Sequence, residues 1–303
     1  VLPGMNWLFF ALLAPAVFTV VNFGDKYILE KEIRDARGMP IFAGIMAFLA
    51  GIVLWILTGF PVLTLPETLL VLFTGAITNW ASAIYFQAMQ QEEASKVIVL
   101  IQMVPVVVLA LSVVFLQEPI TPGQMFGFVL ILGAALGIAL NRETGGIRIS
   151  PAFWQILLVD VLWGASIVLF KYAAVNIEFE RVIAFESWGL ALGGLTLYLF
   201  VPPLRHAFHH SLTTARKGAF AMIAVNESLF VVAKLLNFWA VALGPVALVS
   251  VLGSTQIFYG ILFGWLLTVF APAILREDVS QGSIQKKAGM AALFFVGIWL
   301  VNL

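Results

Sequence analysis

Of the 303 residues, 62% are hydrophobic and only 11% charged, whereas a soluble domain carries about a quarter charged residues. That excludes an ordinary water-soluble fold and makes the chain an integral membrane protein. Sixteen basic residues balance sixteen acidic ones, which leaves no basic tract for nucleic acid, and the lack of cysteine removes disulfides, thiolate metal sites and thiol catalysis.

At about 20 apolar residues per span, ten spans follow in chain order. The first five are Trp7 to Tyr27, Met39 to Phe60, about Pro66 to Met89, Val97 to Leu116 and Gly123 to Leu140. A polar linker, Asn141 to Ser150, separates the halves. The second five are about Phe153 to Val175, Val182 to Val201, Gly218 to Leu243, Val246 to Phe270 and Ala288 to Leu303. The first span is too long for the apolar region of a cleavable signal and no small-x-small site closes it, so it is expected to remain in the mature protein. Pro105 lies inside the fourth span, where membrane helices tolerate proline because neighbours re-satisfy the freed carbonyl.

The halves resemble each other. Lys26-Tyr27 at the end of the first span returns as Lys171-Tyr172 at the end of the sixth, and Phe86-x-Ala88 returns as Phe238-x-Ala240 in the eighth. With five spans per half, a duplicated second half must be inverted relative to the first. Gly133 and Gly137 form a GxxxG that suits close packing within a repeat.

From Tyr85 to Gly137 the third to fifth spans are joined by two short hinges. An aromatic-x-x-Ala turn (Tyr85 to Ala88), Ala94-Ser95, mid-span Pro105, a Glu118-Pro119 hinge, Gly127 and Gly133 together resemble the EamA-type repeat of the drug/metabolite transporter superfamily. The resemblance implies an all-α, ten-helix secondary transporter made of two inverted five-helix repeats, residues 1–140 and 151–303. It also implies that both termini lie in the cytoplasm. The charge pattern implies the opposite, because the hinges on one side hold, of Lys and Arg, only Arg181, while those on the other hold twelve, from Lys31 to Lys287. By the positive-inside rule that second side is cytoplasmic and both termini are outside.

Ionisable residues within spans are costly and mark candidate sites. Asp25 and Lys26 are close enough to the end of their span to be satisfied by water, headgroups or each other. Asp160 lies a third of the way into the sixth span, where function and structural pairing both fit. In the eighth span Asn226, Glu227, Lys234 and Asn237 interrupt an apolar run. Glu227 and Lys234 share nearly one face, with about 10.5 Å between them along the axis. That gap suits a small zwitterion, and the alternative is pairing with other helices, for instance Lys234 with Asp160 or Glu186. The third span offers a polar stripe of Asn79, Ser82 and Tyr85, and the fourth and ninth spans add Gln102, Ser254, Gln256 and Tyr259. These uncharged groups either line a cavity or join helices. Glu118, opening the fifth span, suits a helix-capping role. His206, His209 and His210 are expected in a solvated loop rather than a metal site.

No Gly-x-x-x-x-Gly-Lys-Ser/Thr loop is present, so ATP-driven transport is not expected. Nor do the spans contain a His-Glu-x-x-His or Ser/His constellation of a membrane enzyme. The reading is a secondary or facilitative transporter of the plasma (inner) membrane, a monomer or homodimer that uses no cofactor and no metal. Its partners are the bilayer and a small polar or zwitterionic, amino-acid-like solute. Organic phosphates and cationic or lipophilic drugs are the alternative substrates. Glu227, Asp160 and Glu186 are the candidate proton carriers, since a buried carboxyl is the group that exchanges a proton most readily there.

Overall fold

The computed structural model describes residues 7–33, 35–104, 106–108, 110–111, 121–143, 146–174, 177, 179–243, 252–272, 274 and 280–301. Its helices are α1 (Trp7–Tyr27), α2 (Met39–Leu57), α3 (Leu65–Gln91), α4 (Ala94–Ile101), α5 (Pro122–Ala139), α6 (Pro151–Ala174), α7 (Phe179–Phe200), α8 (Pro202–Thr214), α9 (Lys217–Leu243), α10 (Gln256–Phe270) and α11 (Gln281–Val301). Six of the described helical segments are long and apolar enough to cross a membrane, and Ala94–Val108 and Gln256–Phe270 are shorter apolar helices. The chain is a multi-pass membrane protein built on helices. Exposed Phe48, Val53, Leu57, Val62 and Phe200 are side chains that water would penalise and hydrocarbon does not.

Local chemistry sets the ends of these helices. α3 begins where Thr64 gives both its backbone N–H (2.8 Å) and its hydroxyl (2.7 Å) to Glu67, with Pro66 in the first turn, a position where a missing N–H costs nothing. α2 stops when Gly59 turns left-handed at φ +78°, followed by Phe60 at φ 58°. Beyond α1 the helix does not end but widens into a π-helical turn, Ile28–Glu32.

The polar linker Asn141 to Ser150 carries a short antiparallel β-hairpin, Leu140–Glu143 against Gly146–Ile149, and the other regular elements among the described residues are helices, as expected of an all-α chain. Two expectations are corrected. The three histidines lie on α8, whose Leu204, Ala207, Phe208 and Ser211 are buried at helical spacing. The helix in place of the tenth expected span starts at Gln281 rather than Ala288, whereas the expected start of the ninth, Val246, lies outside the described residues and its described helix runs Gln256–Phe270. Pro105, Glu118 and Glu277 lie outside the described residues.

Packing follows a pattern that survives exchange of the halves. α1 lies along α9 and α6 along α3, while α2 meets α7, α4 meets α10 and α5 meets α11. Phe18 contacts Phe230 and Phe10 contacts Trp239, so α1 and α9 run antiparallel. The polar ends gather on one side. There Lys96 pairs with Glu92 and Glu93, Lys287 with Glu93, and Ser150 donates to Glu92. At the same end Arg37 is bonded to Asp35 at 2.7 Å, and that bond holds the Asp35 carboxyl below its usual range.

The tightest seam joins α3 and α7. A Cβ on Gly75 would sit 2.2 Å from the Glu186 carbonyl oxygen, and one on Gly189 would sit 2.4 Å from that of Leu72. Both are backbone atoms and cannot swing aside. Gly75→Ala should therefore force the helices apart and cost about 1–3 kcal/mol, read as a lower melting temperature of the purified protein.

Candidate functional site

Two of the apolar helical segments are broken, and the breaks face each other. After α4 the chain turns at Gln102 and Met103, whose N–H groups donate to the carbonyls of Val99 and Leu100, three residues back. Before α10 it turns at Ser254 and Thr255, with Thr255 N–H donating to Leu252 and Ile257 N–H to Ser254. Such 3₁₀-like turns inside otherwise α-helical spans often mark functional hinges. Across the gap the Gln102 side-chain amide donates to Gln256 Oε1 at 3.2 Å.

From that contact a hydrogen-bonded chain runs through the protein. Gln256 Nε2 donates to Asn22 Oδ1 (2.8 Å), and Asn22 Nδ2 donates to the Tyr85 hydroxyl (2.7 Å). The Tyr85 hydroxyl in turn donates to Asp25 Oδ2 (2.8 Å), while Asn226 Nδ2 donates to Asp25 Oδ1 (2.8 Å) and reaches the Val21 carbonyl (3.3 Å). Five segments thus converge on one polar line: α1, α3, the α4 break, α9 and the start of α10. Glu227, 9% exposed, lies within electrostatic reach of both Asp25 and Tyr85. Among the described residues neither Asp25 nor Glu227 has a cation as partner.

Of the residues singled out in the sequence, Tyr85, Gln102, Asn226 and Gln256 are in this line and Glu227 is beside it. The other candidates lie elsewhere. Asn79 donates to the Pro40 carbonyl (3.1 Å) at the start of α2, and Ser82 donates to Thr78 on its own helix (3.0 Å). Three-residue steps turn a helix by about 300°, so the Asn79, Ser82, Tyr85 stripe winds away from one face. Asn237 and Tyr259 are half-buried outside the line, and Ser254 is buried at the α10 break. Lys234 is bonded to Glu186 on α7, which is the pairing alternative rather than a charge left for a zwitterion opposite Glu227.

The line also contains Asn22, which the sequence analysis does not single out, and Asp25, which it places near the interface. Asp25 is 4% exposed rather than interfacial, because the π-helical turn extends α1 and carries the polar end one turn further on. Lys26 does not pair with it; its Nζ donates to the Met89 carbonyl (3.0 Å) and meets Glu30 at 3.2 Å. The signal was present as Asn22 and Asp25 three residues apart, and so neighbours on one face of α1.

Beside Asn226 a crevice of about 320 Å³, lined by Gly24, Ile28, Ala221, Met222 and Val225, opens sideways between α1 and α9. Gly24 permits this approach, since a Cβ there would lie 2.1 Å from Asn226 Oδ1. Gly24→Ala should push the Asn226 amide off Asp25 and lower the melting temperature, at a cost of about 1–3 kcal/mol. Adding Asn226→Ala to Gly24→Ala should recover much of that stability, because the clash goes with the amide.

No protein of curated function matches the sequence. A solved structure described only as the crystal structure of a protein is similar in fold, with a TM-score of 0.54 and 16% identity over 95% of this chain and 93% of that one. The EamA-like transporter family matches residues 5–140, the stretch that supplies Asn22, Asp25, Tyr85 and Gln102. That match covers a little less than half of the chain and likens its first part to the EamA-like transporters of the drug/metabolite transporter superfamily.

Proposed function

We propose that the chain is a ten-span secondary transporter of two inverted five-span repeats, residues 1–140 and 151–303. It moves a small amine-bearing, amino-acid-like solute across the plasma (inner) membrane by alternating access. The observation that carries the substrate class is the pair of buried carboxyl groups, Asp25 and Glu227, with no cationic partner among the described residues. An ammonium group completes such a site, since buried carboxylates are otherwise paired or bonded to cations. An organic phosphate fits less well, because Lys26 and Lys234 already have partners. Two facing helix breaks and a packing pattern that exchanges the halves support the repeat architecture, in which solute binds between repeats at discontinuous helices. The Lys and Arg asymmetry supports termini outside the cytoplasm.

A lipophilic amine is a second reading, favoured by the apolar crevice that opens beside Asn226 between α1 and α9. The test is the melting temperature of the purified protein against amino acids, simple amines, lipophilic amines and organic phosphates. A ligand at 100 times its Kd stabilises the folded state by about 2.7 kcal/mol. Amino acids or amines should raise the melting temperature; a rise with organic phosphates alone would overturn the assignment.

A further inference from the structure

Asp160, on α6, takes no part in the polar line. It is wholly buried, and among the described residues neither carboxyl oxygen has a hydrogen-bond partner. Its place on the helix is fixed by two neighbours one turn on. Trp163 donates its indole N–H to the Thr78 carbonyl of α3 (3.2 Å), and Gly164 is where Val107, beyond the α4 break, comes closest, 2.7 Å from a Cβ placed there. Residues three and four apart share a face, so Asp160 is set toward the groove in which α6 meets both α3 and α4. Ser166 donates to the Thr74 carbonyl (2.8 Å) and contacts the Thr78 hydroxyl (2.9 Å), closing that seam beyond it.

The titratable side chains of the two packed helices are Glu67 and Tyr85 on α3 and Lys96 on α4. Glu67 is engaged by Thr64, Tyr85 by Asn22 and Asp25, and Lys96 by Glu92 and Glu93. No charged side chain among the described residues is in interaction range of Asp160.

An ionised carboxylate in this position, closed off from bulk solvent and with neither a donor nor a counter-ion among the described residues, would be in the costliest state a buried charge can have. A metal ion would need several oxygen ligands close around it, and among the described residues no cluster of three or more His, Asp or Glu is gathered to hold one. A proton needs no cavity and no second ligand. We infer that Asp160 is a proton-binding site, a carboxyl that keeps its proton in this conformation and releases it to water only when α6 parts from α3 and α4. In the release the O–H bond breaks, the proton passes to water and the carboxylate is left hydrated. A group that binds a proton in one conformation and sheds it in another is what couples a transporter to a proton gradient, because the proton then shifts the conformational equilibrium by its differential affinity.

Infrared spectroscopy of the purified full-length protein at neutral pH tests this without any solute. The wild type should show a carbonyl stretch of a protonated carboxylic acid that is lost in Asp160→Asn and retained in Glu227→Gln. An Asp160→Asn spectrum unchanged in the acid carbonyl region would overturn the assignment. Carbon-13 labelling of aspartate in an Asp25→Asn background gives the same answer without altering Asp160: the acid band should shift with the label, and an unshifted band would overturn it. Neither arm involves solute binding, so failure here leaves the amine-site reading standing, and failure of that reading leaves this one.

Discussion

Asp25→Asn should weaken binding of an amine or amino-acid ligand by about 10- to 150-fold, the equivalent of one hydrogen bond to a charged group, about 1.5–3 kcal/mol. The substitution keeps the volume of the side chain and one carbonyl acceptor for Asn226. What it removes is the negative charge and one of two acceptors. The Tyr85 hydroxyl, which accepts from Asn22 and donates to Asp25, would then meet an N–H where it now meets an oxygen. Folding should suffer less than binding, because the phenol can turn its proton and accept instead. Ligand-dependent melting shifts in wild type and variant measure the loss. A variant that folds and is still stabilised to the same extent by the same amine would remove Asp25 from the site. Tyr85→Phe provides a graded comparison, since it takes one donor from Asp25 but leaves the charge.

The sequence made some parts of this arrangement legible and concealed others for identifiable reasons. Spans are set by apolar length, a local property, so α1, α3 and α9 start and stop near the expected residues. Polar residues far inside an apolar run also stand out, and Tyr85, Gln102, Asn226 and Gln256 could be picked on that ground alone. Depth near a helix end is different. Whether Asp25 meets headgroups or protein depends on how far the helix continues past Tyr27, and that depends on a π-helical turn which no spacing in the sequence announces. Pairing between helices is likewise a tertiary property. Lys234 had candidate partners on two helices, and only packing of α9 near α7 selects Glu186 over Asp160. The two helix breaks differ in visibility: the first has a proline beside it in sequence, while the second has only Gly253, Ser254 and Thr255, small residues that also occur in unbroken membrane helices. The hairpin at residues 140–149 was concealed by polarity, since charged residues flanking Gly145 and Gly146 fit a linker as well as a turn.

The second large effect is expected at the Lys234–Glu186 pair. Both side chains are nearly removed from solvent, at 13% and 8% exposure, and each is the other's counter-ion between α9 and α7. Lys234→Ala leaves Glu186 buried without a partner and should destabilise the protein by about 3–5 kcal/mol, as breaking a buried pair does. Replacing both residues by apolar ones of similar size, Lys234→Met with Glu186→Leu, removes both desolvated charges together and should recover most of that loss. Solute binding separates structure from function here. If the pair only fastens α9 to α7, the folded double variant should keep its ligand-induced melting shift, because Asp25 and Glu227 are untouched. If Lys234 instead turns from Glu186 to grip the carboxylate of a zwitterion, the double variant should fold and still lose amino acids as ligands while retaining simple amines. That outcome would return Lys234 to the site and make the ion pair a resting arrangement that the solute displaces.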